Sequence, residues 1–208
     1  MTDLMGTPLP EHDAGELIRH FNELLSVHEA MATDGNLVSN LNKVCALCIT
    51  AYRSGGKILV AGNGGSAADA QHFAGELVSR FYFDRPPLAA VALTTDSSIL
   101  TAIGNDYGYE DVFARQVQAH GRAGDVFIAI STSGNSPNIL KAIEAAKVLG
   151  LVVIGLTGRN GGKMKGLCDV CLCAPSDSTP RIQECHLVIE HILCACIEES
   201  LFGHQRGL

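Results

Sequence analysis

The chain has 208 residues, a length suited to one sizeable domain, and is 47% apolar and 5% aromatic, a globular rather than a disordered composition. Its formal charge of −7 and the absence of any basic run exclude a nucleic-acid footprint. No N-terminal apolar stretch resembles a signal peptide and no apolar run is long enough to span a bilayer, so a cytoplasmic protein with no membrane partner is expected.

Residues 1–12 hold two prolines, a glycine and few apolar groups and are expected to form a mobile arm, leaving 13–208 as a single domain. Leu17, Ile18, Phe21, Leu24, Leu25, His28 and Met31 then recur at helical spacing. Leu37, Leu41, Val44, Cys45, Cys48 and Tyr52 mark a second amphipathic helix stopped by Gly55-Gly56. His20 and His28 read as surface or helix-packing residues.

From Lys57 the pattern changes to short apolar strands alternating with helices. Strands are expected near 57–62, 88–94, 125–131, 151–157 and 169–174, and that repetition argues for an α/β fold with a parallel sheet covered on both faces. A last helix, about 182–202, carries Ile182, Ile189, Ile192, Leu193, Cys196, Ile197 and Leu201, with Gly203 as its stop. Eight cysteines raise the question of zinc pairs at Cys45/Cys48 and Cys168/Cys171. However, Cys45 and Cys48 fall on an apolar helix stripe and Cys171 and Cys173 along an apolar strand, where cysteine behaves as a small buried hydrophobe. Disulfides are not expected in such a compartment.

In open parallel sheets ligands sit beyond the carboxyl ends of the strands, and two loops there are informative. After the first strand comes Gly62-Asn63-Gly64-Gly65-Ser66. Gly62-x-Gly64-x-x-Ala67 loosely matches a dinucleotide fingerprint, but the acidic residue that should close the second strand is replaced by Thr94-Thr95, with Asp96 too far on. No nucleotide cofactor is therefore expected. After the third strand comes Ser131-Thr132-Ser133-Gly134-Asn135-Ser136, then Pro137. Ser136 is a suitable N-cap and Pro137 a suitable first helical residue. Capping explains Ser136 alone; four hydroxyls in six residues at a helix N-terminus point to phosphate.

The helix after the first loop carries His72 and Glu76, one turn apart on one face. Such a pair is ordinarily a plain surface contact, but the spacing also suits acid–base work or a metal, since His nitrogen and carboxylate oxygen are ordinary zinc ligands. The last helix adds Gln183, Glu184, His186 and His191. Gln183 and His191 lie about 12 Å apart along a straight helix axis, so either Gln183 sits in an unwound start or a second subunit contributes. Asn105-Asp106, after the second strand, adds a carboxylate at the same sheet edge.

Taken together, these stretches resemble the phosphoheptose (sedoheptulose 7-phosphate) isomerases of the sugar isomerase (SIS) domain family. The resemblance runs from the first helix to Phe202 and rests on Ala61–Ser66, Asp69–Phe73, Gly104–Asp106, Ser131–Ser136 and Arg181–Glu184 with His186 and His191. It implies a flavodoxin-like, doubly wound five-stranded parallel sheet. It also implies a homotetramer with active sites at subunit contacts and a product feeding heptose precursors of bacterial surface glycans. By that resemblance Glu76 and His191 are the acid–base pair. Ser131, Thr132, Ser133 and Ser136 cradle the phosphate of a seven-carbon sugar, and Asn63, Gly64, Gly65, Asn105, Asp106 and Gln183 line the sugar. Some family members bind zinc through the residues matching His72, Glu76, Gln183 and His191. The final helix is expected to pack in the oligomer through Ile189, Ile192 and Leu193. The chain departs from some relatives at Pro180, where they carry an acidic residue. A neighbouring group, the bacterial replication-initiator-associating proteins, shares the fold, both loops and a tail like Phe202-Gly203-His204-Gln205. Its members are not known as isomerases and typically lack the carboxylate and imidazole that match Glu76 and His191. This chain has both.

Overall fold

A computed structural model describes residues 13–205; the arm expected over 1–12 lies outside the described residues. Two helices, α1 (Ala14–Thr33) and α2 (Gly35–Arg53), open the chain. Their boundary is chemical: Asp34 ends α1 and caps α2, its carboxylate accepting from the Asn36 and Leu37 N–H groups at 2.9 and 3.1 Å.

The strands are β1 (Ile58–Ala61), β2 (Ala90–Ala92), β3 (Val126–Ile130), β4 (Val152–Thr157) and β5 (Val170–Cys173). They pair all-parallel in the order β2-β1-β3-β4-β5, the flavodoxin-like winding that was expected. β1 and β3 are buried along their whole length, as strands covered on both faces must be. β2 is much shorter than the 88–94 expected from the apolar run. It is an edge strand entered from Pro86-Pro87, which have no N–H to donate to the ladder.

Between the strands run α3 (Gly65–Val78), α4 (Ser97–Asp106), α5 (Val112–His120), α6 (Pro137–Val148) and α7 (Thr179–Phe202). Side-chain alternation along β1 divides the core. Ile58 and Val60 pack with residues of α2, α3 and α7 on one face, whereas Leu59 and Ala61 pack with α5 and α6 on the other, α4 joining through Leu100 and Ile103. Cys45 and Cys48 are in this core, as read from the sequence. Phe73, fully buried, pins α3 to the sheet, and burying such a ring stabilises by roughly 1.5–3 kcal/mol. That fixes which face of α3 remains for chemistry. The pairing of Ala61 with Ala129 places the loops that follow β1 and β3 side by side.

Two expectations about α7 change. The helix begins at Thr179, so Gln183 sits in regular helix rather than in an unwound start. Ile189 and Leu193 are 1% and 0% exposed within the chain itself, leaving Ile192, at 38%, as the outward residue of that trio. The apolar surface available to a partner lies mainly on α1, where Leu17, Ile18, Phe21 and Leu25 are all more than half exposed.

Candidate active site

The turn from β1 into α3 is shaped by glycines. A Cβ at Gly62 would collide with the Ser66 backbone, and one at Gly65 would collide with the Gln183 amide lying over the start of α3. Gly64 has φ +57°, a left-handed conformation open to glycine, and stands at the N-cap of α3 with no side chain capping the helix. Asn63 is held by a reciprocal amide pair with Asn138, both N–H···O bonds 2.9 Å, and accepts a third bond from the Tyr109 hydroxyl at 3.1 Å.

The hydroxyl loop after β3 is built differently from its sequence reading. Ser136 occupies the N-cap position of α6, yet its side chain caps nothing. Its hydroxyl instead shares a 2.9 Å bond with that of Ser131, which in turn stands 3.5 Å from the Ser133 hydroxyl. At the α6 N-terminus Pro137 has no N–H and those of Ile139 and Leu140 donate to the Ser136 carbonyl at 3.1 and 3.0 Å, which leaves the Asn138 N–H for another acceptor, and the hydroxyls gather beside it. Asn63, Gly64, Gly65, Ser131, Thr132, Ser136 and Gln183 line one cavity of about 280 Å³ together with Thr179, so three helix N-termini, of α3, α6 and α7, stand at its wall. Such a wall favours an anion.

The acid–base groups converge further along α3. His72 Nε2 lies 2.9 Å from His191 Nε2 on α7, so one ring donates and the other accepts. Glu76 Oε1 is 3.7 Å from His72 Nε2. The Phe81 ring lies 5.5 Å from that of His191. His72, Glu76 and Phe81 line an open cleft of about 420 Å³ with Arg80. This cleft shares no lining residue with the hydroxyl-loop cavity; from Gly65 to His72 is about 10 Å along the helix axis. Within one chain the phosphate loop and the Glu76 carboxylate with His72 therefore face separate spaces.

Asn105 and Asp106 end α4, exposed, with Asn105 donating to Asp106 at 2.8 Å, and they line neither space. Asp96 caps α4 by accepting from the Ile99 N–H at 2.9 Å, which gives that carboxylate a structural role.

The metal-type donors meet only in part. Two imidazoles bound to one tetrahedral zinc stand about 3.3 Å apart, from Zn–N bonds of ~2.0–2.1 Å, and the Nε2 atoms of His72 and His191 need to open only slightly from 2.9 Å. Nitrogen and carboxylate donors are chemically apt, but Gln183 lies over Gly65 instead of beside them. Among the described residues no group of three or more His, Cys, Asp or Glu side chains is arranged to hold a metal ion. One chain supplies an incomplete donor set.

Several groups around the site carried little sequence signal. Asn138 and Tyr109 fix Asn63 from remote positions in the chain. Glu190 on α7 is 1% exposed with neither carboxyl oxygen hydrogen-bonded, and Oδ2 of Asp69 on α3 is likewise unpartnered. Burial, and then the Asp69 carboxylate, pushes the Glu190 carboxyl up to about 9, so it is neutral at pH 7. Burial pushes Asp69 up to about 6 against the pull of His72. Arg85 and Glu198 form a buried ion pair, Nε to Oε1 3.1 Å, with each side chain 1% exposed. A carboxylate seven residues beyond His191 was the available hint, since that spacing keeps one helix face.

Comparison with known proteins places these features. Residues 20–158 match the model of the SIS domain. The phosphoheptose isomerase of Aneurinibacillus thermoaerophilus is 60% identical over 89% of this chain and 94% of its own length. Phosphoheptose isomerase 2 of Campylobacter jejuni is 61% identical over 88% and 92%. Among solved structures, the phosphoheptose isomerase of Neisseria gonorrhoeae superposes with a TM-score of 0.84 at 47% identity, covering 89% of this chain and 98% of that one. The enzyme of Francisella tularensis gives 0.87 at 38% identity, covering 91% and 100%.

Proposed function

Since this chain belongs to the SIS domain family and, within it, to the phosphoheptose isomerases, we propose that it interconverts sedoheptulose 7-phosphate and D-glycero-D-manno-heptose 7-phosphate through an enediol. The observation that carries the mechanism is the contact between His72 and His191, 2.9 Å, with the Glu76 carboxylate 3.7 Å from the same His72 nitrogen. The base and His72 line one open cleft on α3, and the proton carrier on α7 is bonded to that His72. The scaffold alternative gives no role to this pairing of Glu76 with His191.

The reaction moves a proton from C1 of the ketose to C2, while the carbonyl moves from C2 to C1. Glu76 takes the C1 proton, exchanges it with solvent in the open cleft and delivers a proton to C2, the general-base task for which a carboxylate must be positioned against a weak carbon acid. His191 transfers the hydroxyl proton between O1 and O2, its ring oriented by the bond to His72. No proton is gained or lost overall. Ser131, Thr132, Ser133 and Ser136 hold the phosphate, with Gly64, Gly65 and the α6 N-terminus supplying further N–H donors. Asn63, Asn105, Asp106 and Gln183 are assigned to the sugar hydroxyls. Zinc fits the nitrogen and carboxylate donors of His72, Glu76 and His191, Gln183 lying apart from them within one chain, and when bound it would polarise the carbonyl and enediolate oxygens.

The separate spaces for phosphate and proton transfer support a site completed by a second subunit. A homotetramer is the assembly we assign. Leu17, Ile18, Phe21 and Leu25 are exposed on α1, and an apolar groove of about 290 Å³ lies between α1, α2 and α7; exposed apolar surface of this kind marks an interface. Among the described residues no helix is long and apolar enough to cross a membrane, and a cytoplasmic enzyme serving surface-glycan synthesis is the setting proposed. Incubating the purified protein with sedoheptulose 7-phosphate and identifying the product by NMR tests this reading. The aldose 7-phosphate is expected; absence of conversion, with and without added zinc, overturns it in favour of a non-catalytic scaffold.

A further inference from the structure

We infer that Arg85 and Glu198 are positioning residues that set Glu76 against His191. The inference deepens the isomerase reading and rests on it. Arg85 follows α3 and turns back onto the end of that helix. Its Nη2 donates to the backbone carbonyl of Glu76 at 3.0 Å, and its Nη1 donates to the carbonyls of Leu77 at 2.7 Å and Pro86 at 3.0 Å. The carbonyls of a last helical turn have no partner within their helix, so the guanidinium completes the turn that carries the proposed base.

The same guanidinium reaches the second helix. Its Nε donates to Glu198 Oε1 at 3.1 Å. Glu198 lies seven residues beyond His191 on α7, on the same helix face. Its two oxygens also accept the N–H groups of Phe81 and Tyr82 at 2.8 and 2.7 Å. Phe81 is the residue whose ring lies against His191. One buried ion pair thus holds the backbone of the base on one side and, through Phe81, the imidazole on the other. Arg85 and Glu198 line neither the cleft nor the hydroxyl-loop cavity, so they act through others. Burial pushes the Glu198 carboxyl up, and the Phe81 and Tyr82 N–H groups with Arg85 outweigh it, so the group stays charged with its pKa lowered. The pair is fully used: three donors converge on the carboxylate, and the guanidinium serves three carbonyls besides.

Two variants separate positioning from folding. Arg85→Lys keeps the charge and one bond to Glu198 but lacks the fork that spans the Glu76 and Leu77 carbonyls. The double variant Arg85→Met with Glu198→Met removes both charges together, a replacement that proteins often tolerate without loss of stability. Misplacing a catalytic group by about 1 Å costs on the order of 10²-fold. For folded tetramer of either variant, kcat is expected to fall about 10- to 100-fold on that scale, with KM changed by no more than about threefold because the phosphate loop is untouched. The ring signals of His191 in ¹H–¹³C NMR, which sense Phe81, should shift in both. Wild-type kcat in either folded variant overturns the inference, as does a loss that only tracks the unfolded fraction or falls on KM alone. If wild-type protein itself fails to isomerise, the isomerase reading falls, and the NMR still judges the positioning: unchanged His191 signals refute it independently.

Discussion

Replacing Glu76 by Gln isolates proton abstraction from every other property of the site. The amide keeps the size and one acceptor oxygen of the carboxylate but does not take a proton from C1. The carboxylate's visible partner is His72 at 3.7 Å, with side chains 43% and 27% exposed, and exposed pairs of this kind contribute about 0–1 kcal/mol. The helix turn beneath is secured by Phe73 and by the backbone bonds from Arg85, neither of which the substitution touches. Folding should therefore be nearly unchanged, with Tm moving by no more than about 2–4 °C for a chain of this size. The chemical step should lose the share that a positioned base supplies, about 10²–10⁴-fold, or roughly 3–5.5 kcal/mol of barrier. The assay is kcat by NMR-detected formation of the aldose, with substrate affinity measured alongside by calorimetry. The expected result is kcat lower by at least 10²-fold at nearly unchanged Kd. A kcat within a few-fold of wild type refutes Glu76 as the base, and a loss of Kd to match kcat makes it a binding group instead.

Other outcomes follow from the same geometry. Ser131→Ala with Ser133→Ala should raise KM for the phosphorylated sugar more than it lowers kcat, because the phosphate is unchanged through the reaction; a pure kcat loss contradicts the cradle. Glu190 has a raised folded-state pKa, so its contribution to stability is fully present below the unfolded carboxyl's pKa and is lost as pH rises through about 9. Across that window wild type should lose up to about 1.4 kcal/mol per pH unit relative to Glu190→Gln; parallel denaturation curves at pH 5 and pH 9 contradict it. Phe21→Glu, placing a charge on the exposed face of α1, should prevent the proposed tetramer from forming in light scattering and abolish turnover with Glu76 and His191 intact; a fully active monomer refutes the shared site.

The sheet was legible because each strand is a short apolar run bounded by glycine or polar residues, and the strand–helix alternation leaves few other topologies. The loops were legible because glycines and hydroxyls at strand ends have few structural excuses. What the sequence hid are side chains that act across long separations. Ser136 looked like a helix cap by position, and only the packed loop shows its hydroxyl turned to Ser131. Asn63 and Asn138 are 75 residues apart and carry no periodicity that announces their pairing. Arg85 sits before two prolines in an irregular segment that carries no periodicity to mark it, and it is buried and bonded to the end of α3. Ile189 and Leu193 illustrate the opposite error. Apolar stripes show that a helix face is covered but not by what, and here the chain's own core, shared with α2, α3 and the sheet, covers them.

The central claim is enediol isomerisation by proton transfer, and turnover of sedoheptulose 7-phosphate in deuterated water tests it most directly. Proton transfer through Glu76 predicts aldose 7-phosphate carrying deuterium at C2 and recovered ketose gaining deuterium at C1, both lost in Glu76→Gln. Conversion with no deuterium at either carbon contradicts proton transfer by a base that exchanges with solvent in the open cleft, and no conversion at all, with or without zinc, contradicts the isomerase.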